Sequence, residues 1–168
     1  RQFASVGRLD HGSPGAFCLL ESVGDGWVDL DKIKVIPELQ DYFRLLASYV
    51  EAPRDPAKFR EHLAARVDLM SCSVYAGGGH ELLDYLEELT QANWAASSND
   101  TGYGCDWILE SDEGLGDVAA CYFCEQELKR WKFTAKTEAT QLQIHAQMLA
   151  GHPKAKSKEY IEGSKPRQ

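Results

Sequence analysis

The chain has 168 residues, 43% hydrophobic and 26% charged, which is enough for one ordinary core and argues against two full domains. Eighteen basic against twenty-six acidic residues give a net charge of −8, which argues against a surface that neutralises nucleic-acid phosphates. No stretch approaches the roughly 20 apolar residues of a membrane-spanning helix, and the first ten residues lack the apolar run of a signal peptide. The sequence therefore predicts a soluble protein that does not bind nucleic acid.

The first thirty residues predict a strand, a turn-rich loop and a β-hairpin. Residues 2–7 alternate in hydrophobicity as a strand does, and residues 10–15 are a cluster of turn formers. Residues 16–20 and 27–30 flank Asp25-Gly26, a pair that supplies the positive φ values of a hairpin turn.

The middle of the chain predicts an α/β arrangement. Apolar residues recur at helical spacing from Pro37 until Pro53, and a second helix is predicted over residues 55–65. Residues 67–74 read as a buried strand that ends in a glycine-rich loop, and a third helix follows from His80 to Thr90. A strand, a glycine loop and a helix in this order favour a mostly parallel sheet flanked by helices.

The last third predicts short strands and then one long helix. Strands are expected at residues 93–97 and 106–110. We expect an α/β domain over residues 1–117, and a long helix over residues 118–153 that packs on the body or on a partner. Residues 154–168 hold five basic and two acidic residues, which predicts a basic tail that lies on a partner or stays mobile.

One pair of residues in this layout is capable of chemistry. His11 and Gly12 follow the first predicted strand, and Cys72 lies at the end of a later one. Because loops at the carboxyl ends of neighbouring parallel strands meet in one crevice, an imidazole and a thiol placed this way form a candidate dyad. A nearby imidazole activates a thiol as a nucleophile, and at Gly12 a backbone amide can approach an oxyanion without a Cβ in the way.

Four segments carry a resemblance to a known family. They are HGSPGAF at residues 11–17, DLMSCSV at 68–74, WAASSNDTG at 94–102 and DWILE at 106–110. Together they resemble a domain of unknown function found in large bacterial and cyanobacterial surface or secreted proteins, over roughly residues 3–115. That family resembles in turn the caspase and gingipain clan of cysteine peptidases, whose His-Gly and Cys positions fall here on His11, Gly12 and Cys72.

The resemblance implies a caspase-like fold, a His base with a Cys nucleophile, and an extracellular or cell-surface setting. Family members usually have one or two further strands before the His-Gly strand, whereas ten residues precede His11 here. A sheet without its first strands has an open edge, so we expect either a missing N-terminal segment or a protein partner to complete it. A larger multi-chain assembly and peripheral membrane association are both compatible with this sequence.

The other candidate sites are weaker. A cysteine at a strand end is often simply buried packing, so the His11/Cys72 pair is either catalytic or degenerate. Cys121 and Cys124 have the Cys-x-x-Cys spacing of metal or redox sites, but no second cysteine pair accompanies them. Residues 77–79 lack the Gly-Lys-Ser/Thr sequence of a phosphate-binding loop. We therefore expect no metal and no cofactor.

Two functions remain open at this point. The first is a non-catalytic interaction or structural module with a caspase-like fold, acting as a peripheral subunit or a fragment of a larger assembly. The alternative is a cysteine peptidase in which Cys72 attacks a peptide carbonyl and His11 transfers the proton. The unfamiliar last third of the chain favours the module.

Overall fold

The computed structural model describes residues 2–19, 26–51 and 65–131. Its strands are β1 (Ser5–Leu9), β2 (Gly12–Ser13), β3 (Ala16–Cys18), β4 (Trp27–Asp29), β5 (Arg66–Met70) and β6 (Asn93–Ala96). Its helices are α1 (Leu30–Val35), α2 (Pro37–Ala47), α3 (Gly79–Thr90), α4 (Ala119–Tyr122) and α5 (Glu125–Leu128), with a 3₁₀ segment at Glu110–Leu115. Within these ranges no helix combines the length and apolar character that a membrane crossing requires.

The central sheet is parallel and has the strand order β1-β5-β6. Ser5 of β1 pairs with Arg66 of β5, and Arg66 pairs with Asn93 of β6 on its other side. Helix α3 connects β5 to β6, as a parallel connection requires. The α/β class with a parallel sheet and flanking helices, predicted from the sequence, is confirmed.

One face of this sheet packs on an apolar core. Alternate residues of each strand point to the same side, so Val67 and Leu69 of β5 share a face with Trp94 of β6. The ring of Phe43 from α2 meets Trp94 edge-on with 5.8 Å between centroids. Helix α3 adds three leucines to the same core, namely Leu82, Leu83 and Leu86.

The opposite face carries charged residues together with a smaller apolar cluster. Arg66, Asp68 and Met70 of β5 point to this side, and residues 107–131 cover it. Trp107, Leu109 and Val118 are the large buried side chains of that cover. Both faces of the parallel sheet are therefore buried, as expected for α/β proteins.

The hairpin forms a second, antiparallel sheet with the order β2-β3-β4. Its strands pair Ala16 with Asp29 and Cys18 with Trp27. The side chain of Asp29 then accepts a hydrogen bond from the Lys32 N–H (2.9 Å) and caps helix α1. The predicted turn of this hairpin lies outside the described residues, as does the helix predicted over residues 55–65.

The strand expected at residues 106–110 is not formed. This stretch has two isolated bridges, Thr101 with Asp106 and Ile108 with Asp117, and then turns into the 3₁₀ segment. The reason lies at the outer edge of β6. The Ala96 N–H donates to the Ser111 hydroxyl (2.8 Å), and the Trp94 N–H donates to the Glu87 carboxylate (3.2 Å). Side chains thus occupy the donors that a fourth strand needs.

The long helix expected from residue 118 is also different where the structure describes it. Helix α4 ends at Tyr122, Phe123 is extended (φ −124°, ψ 145°), and α5 begins at Glu125. The break allows the Tyr122 hydroxyl to reach Asp68 and the Phe123 ring to reach Trp107. The predicted helix beyond residue 131 and the basic tail lie outside the described residues.

Candidate functional site

The two predicted dyad residues follow adjacent parallel strands. Strand β1 ends at Leu9, which pairs with Met70, the last residue of β5. His11 comes two residues after the first of these ends, and Cys72 two residues after the second. The sheet therefore brings both loops to the same edge, where parallel sheets usually hold their sites.

Gly12 fixes how closely the two loops approach each other. A Cβ built on Gly12 would lie 2.8 Å from the Cys72 nitrogen and closer still to the Cys72 carbonyl oxygen. Real Cβ atoms do not come that near to backbone atoms, so only glycine fits here. The His11-Gly12 backbone and the Ser71-Cys72 backbone are consequently in direct contact.

The His11 backbone is fixed from both sides. Its N–H donates to the Asp10 carboxylate (2.8 Å), and its carbonyl accepts a hydrogen bond from the Cys18 N–H (2.9 Å). Asp10 in turn forms an ion pair with Arg8 (2.7 Å), and both side chains are about four-fifths buried. The half-buried His11 therefore sits on a loop held by a charge pair and by the hairpin.

The Cys72 thiol points towards the loop after β6. Its residue is only 2% exposed, and its Sγ accepts a hydrogen bond from the Thr101 N–H (3.1 Å). The same sulfur lies 3.6 Å from the Thr101 carbonyl, to which it donates. Thr101 is fully buried and was not among the predicted site residues. Its place in the WAASSNDTG segment alone gave no physical reason to select it.

The loop that contains Thr101 is tied firmly to the Cys72 loop. Ser73 has a left-handed backbone (φ 60°), which is uncommon for a residue with a side chain. Its N–H donates to the Asn99 carbonyl (2.7 Å), and the Tyr75 N–H donates to the Ser97 carbonyl (2.9 Å). The Glu110 carboxylate accepts from the Asn99 side chain on the other side. These bonds keep Thr101 in position against the thiol.

Two buried hydroxyls flank the thiol without hydrogen-bond partners. They belong to Ser71, which is 1% exposed, and to Thr101. A buried polar group without a partner costs about 1–3 kcal/mol. The two unpartnered hydroxyls near Cys72 therefore lower the stability of the folded state.

One cavity, of about 540 Å³, reaches Arg8 at the end of β1 but does not include the dyad. It is lined by Arg8 and by residues of the hairpin and of helices α1 and α2, among them Trp27, Leu39 and Tyr42. Neither His11 nor Cys72 lines it. This cavity therefore opens onto Arg8 and not onto the dyad.

A second polar cluster, which the sequence analysis missed, lies under residues 119–128. The Asp68 carboxylate is fully buried and accepts hydrogen bonds from the Arg66 guanidinium and the Tyr122 hydroxyl. Burial raises the pKa of Asp68, although Tyr122 and Arg66 act in the opposite direction. Burial and the neighbouring Asp68 charge also raise the pKa of Tyr122. The sequence contained a signal for this cluster, because Arg66 and Asp68 are two residues apart and therefore share one face of a buried strand.

Metal ligands do not gather in the described part of the chain. Among those residues no group of three or more His, Cys, Asp or Glu side chains is placed to hold a metal ion. Cys121 and Cys124 are thiols, and both are exposed.

Comparison with known proteins gives a family and no closer relative. No curated protein and no solved structure matches the chain. A family model does match, and it covers the sheet, the hairpin, the His11 and Cys72 loops and the segment that carries Tyr122. This chain belongs to the family described as Domain of unknown function (DUF4347), whose model matches residues 2–134.

Proposed function

We propose that this domain is a non-catalytic interaction module with a caspase-like fold, acting as a peripheral subunit or as part of a larger assembly. The observation that carries the proposal is the position of the Cys72 thiol. It is 2% exposed and hydrogen-bonded to both backbone groups of Thr101. A nucleophilic cysteine needs an accessible thiolate, and this sulfur instead joins two loops.

The surroundings of the thiol support the same function. The cavity at Arg8 is lined by charged and apolar side chains, and Cys72 is not among its lining residues. In this proposal the Asp10 contacts fix the loop after β1, and the close approach of Gly12 joins that loop to the one after β5. The His11 and Cys72 loops then have a structural role and derive from the loops of a catalytic site.

A contact surface for a protein partner lies at the start of β1. Phe3 is 49% exposed and Tyr49 is 47% exposed, and their backbones are joined by a hydrogen bond from the Phe3 N–H to the Tyr49 carbonyl (2.8 Å). Leu45 of α2 is also exposed. Exposed aromatic residues are enriched in surfaces that bind another protein chain.

The alternative is a cysteine peptidase of the caspase-like clan, and one observation favours it. The contact between Gly12 and the Cys72 backbone is the approach that an oxyanion site built from these two amides requires. In that mechanism His11 takes the proton of the Cys72 thiol, and the sulfur attacks a peptide carbonyl. His11 then returns the proton to the leaving amine. The Cys72 thiol would first have to break its hydrogen bonds to the Thr101 backbone. The unpartnered hydroxyls of Ser71 and Thr101 would then have a role.

Thiol labelling of the native chain distinguishes the two functions. Cys105, Cys121 and Cys124 are exposed, whereas Cys18 and Cys72 are buried, so one protein contains its own controls. We expect iodoacetamide, followed by peptide mass spectrometry, to label the exposed three at the rate of a model thiol. Cys72 should react as slowly as Cys18, roughly a hundredfold slower than the exposed group because labelling requires local opening. In urea all five should react alike.

Labelling of Cys72 at or above the rate of the exposed thiols would contradict the module and support the peptidase. His11→Ala then gives a second readout. If the domain is a non-catalytic module, this substitution should leave the rate of Cys72 labelling unchanged. If His11 activates the thiol, it should slow the labelling of Cys72 at least tenfold.

The partner surface has a separate test. We expect the chain to co-purify from its source with a stable protein partner, and Phe3→Ser with Tyr49→Ser to abolish that co-purification. Val35→Ser is the matched control, because Val35 is 74% exposed on α1, away from that surface. Co-purification that survives the double substitution would exclude this surface.

A further inference from the structure

Cys121 and Cys124 lie on either side of the two aromatic residues that fasten helices α4 and α5 to the sheet. Both thiols are exposed, and neither takes part in the function proposed above. Cys121 lies in the last turn of α4, and Cys124 precedes the first residue of α5. The pair therefore lies on either side of Tyr122 and Phe123, between which helix α4 ends.

The backbone between the two cysteines has the dihedral pattern of a turn. Tyr122 is the last helical residue and Phe123 is extended (φ −124°, ψ 145°). A helical residue followed by an extended one is the pattern of a type VIII turn, whose end Cα atoms lie less than about 7 Å apart. Disulfides span Cα distances of about 4.4–6.8 Å. A small tightening of this turn would allow the two sulfurs to bond.

The residues inside this turn make the contacts that hold the segment down. The Tyr122 hydroxyl donates to the buried Asp68 carboxylate. The Phe123 ring lies 4.9 Å from Trp107 and 6.3 Å from Trp131, measured between centroids. A Cβ on Gly7 would lie 2.8 Å from the Tyr122 ring, so the ring fills the space that this glycine leaves. Any change in the turn has to move these two side chains.

We propose that Cys121 and Cys124 form a reversible dithiol–disulfide site whose oxidation weakens the docking of Tyr122 and Phe123 on the sheet. The oxidant is a small-molecule disulfide. The Cys124 thiolate attacks one sulfur of that disulfide, which gives a mixed disulfide and releases one thiolate. The Cys121 thiolate then attacks the Cys124 sulfur and displaces the second thiolate. The two protein thiols together lose two electrons, and these electrons reduce the small-molecule disulfide to two thiols. The two cysteine protons pass to the two released thiolates.

The pairing is tested on the full chain with glutathione disulfide as the oxidant. After equilibration at defined glutathione ratios and acid quenching, the peptide holding residues 121–124 should lack two hydrogens. Cys121→Ser and Cys124→Ser should each remove this form, and the remaining cysteine should carry glutathione instead. Cys105→Ser is the matched control, since it removes a third exposed thiol and should leave the pair intact. Wild-type chain that carries only glutathione adducts at both positions would overturn the proposal.

The coupling to the sheet has its own measurement. If docking of Tyr122 and Phe123 favours the reduced form, weakening it must make the pair easier to oxidise, because the two equilibria are linked. We expect Tyr122→Phe and Phe123→Leu each to raise the equilibrium constant for oxidation by glutathione at least about threefold. Tyr49→Phe, at an exposed tyrosine, should leave it unchanged. Constants equal to the wild-type value in both docking variants would overturn the link between the thiols and the sheet.

Discussion

The two faces of the parallel sheet are held by different kinds of contact. On one face Val67, Leu69 and Trp94 pack against helices α2 and α3 mainly through apolar surface. On the other face Arg66 and Asp68 lie beside Met70, and Asp68 accepts one hydrogen bond from Arg66 and one from Tyr122 of the covering segment. Apolar packing is not directional, whereas a buried carboxylate accepts bonds only from donors in particular places. The first face supplies stability, and the second fixes where residues 119–128 sit.

The largest effect should come from the apolar face. Phe43→Ala removes a fully buried ring that contacts both Trp94 and Phe17, so we expect a loss of about 3–5 kcal/mol in the free energy of unfolding. Leu45→Ala on the same helix is the control, since Leu45 is exposed and should cost less than about 0.5 kcal/mol. Urea unfolding followed by circular dichroism measures both. Equal losses would mean that α2 does not pack as described.

The charged face should respond differently to single and joint substitutions. Asp68→Ala leaves the Arg66 guanidinium buried without its carboxylate, and we expect it to cost about 3 kcal/mol. Replacing both residues, Arg66→Met with Asp68→Leu, should recover at least half of that loss, because no charge is then left buried. The same unfolding measurement decides it. A double variant as unstable as the single one would show that the pair itself stabilises the fold.

A smaller effect is expected from the tyrosine on this face. Tyr122→Phe removes one hydrogen bond to Asp68 and keeps the ring, so the loss should be about 1–2 kcal/mol. Tyr49→Phe, at an exposed tyrosine, should change the stability by less than about 0.5 kcal/mol. Thermal unfolding of the two variants side by side compares them. Equal stability changes in the two variants would show that the Tyr122 hydrogen bond does not hold residues 119–128 on the sheet.

The smallest effect is a dependence on pH that only the charged face should show. Because burial raises the pKa of Asp68, the native state binds this proton more tightly than the unfolded state. The resulting stabilisation is complete below the unfolded pKa and is lost as the pH rises through the native pKa. From about pH 4 upwards, wild-type chain should therefore lose stability relative to Asp68→Asn. A difference between the two that stays constant with pH would contradict the raised pKa.

The sequence predicted the elements that local pattern controls. Helix α3 was expected from His80 to Thr90 and runs from Gly79 to Thr90, because its leucines recur at helical spacing. Strand β5 and the hairpin strands were also expected from their local hydrophobic pattern and turn residues. Gly12 was selected for an amide that approaches an oxyanion, and what the structure contains is a close approach to the Cys72 backbone. His11 and Cys72 were placed on neighbouring loops by the topology of parallel strands, and that placement is observed.

Features set by distant residues were not predictable in the same way. The break after Tyr122 depends on Asp68, which lies 54 positions earlier in the chain. An uninterrupted apolar repeat in this segment gave no sign of it. Similarly, the loss of a strand at residues 106–110 depends on Glu87 and Ser111 occupying the donors of β6. In both places a side chain from elsewhere competes with the local backbone preference and wins.

The order of the strands also has a consequence for how the chain folds. Arg66 pairs with Asn93 across a single helix, whereas Ser5 pairs with Arg66 across more than twice as many residues. Closing the longer connection costs more chain entropy, by about 0.6 kcal/mol for each doubling of its length. The unit made of β5, α3 and β6 therefore has the shorter kinetic path, and β1 arrives last. The contact between Gly12 and Cys72 forms only at that final step, so a newly made chain pairs β5 with β6 before these two loops meet.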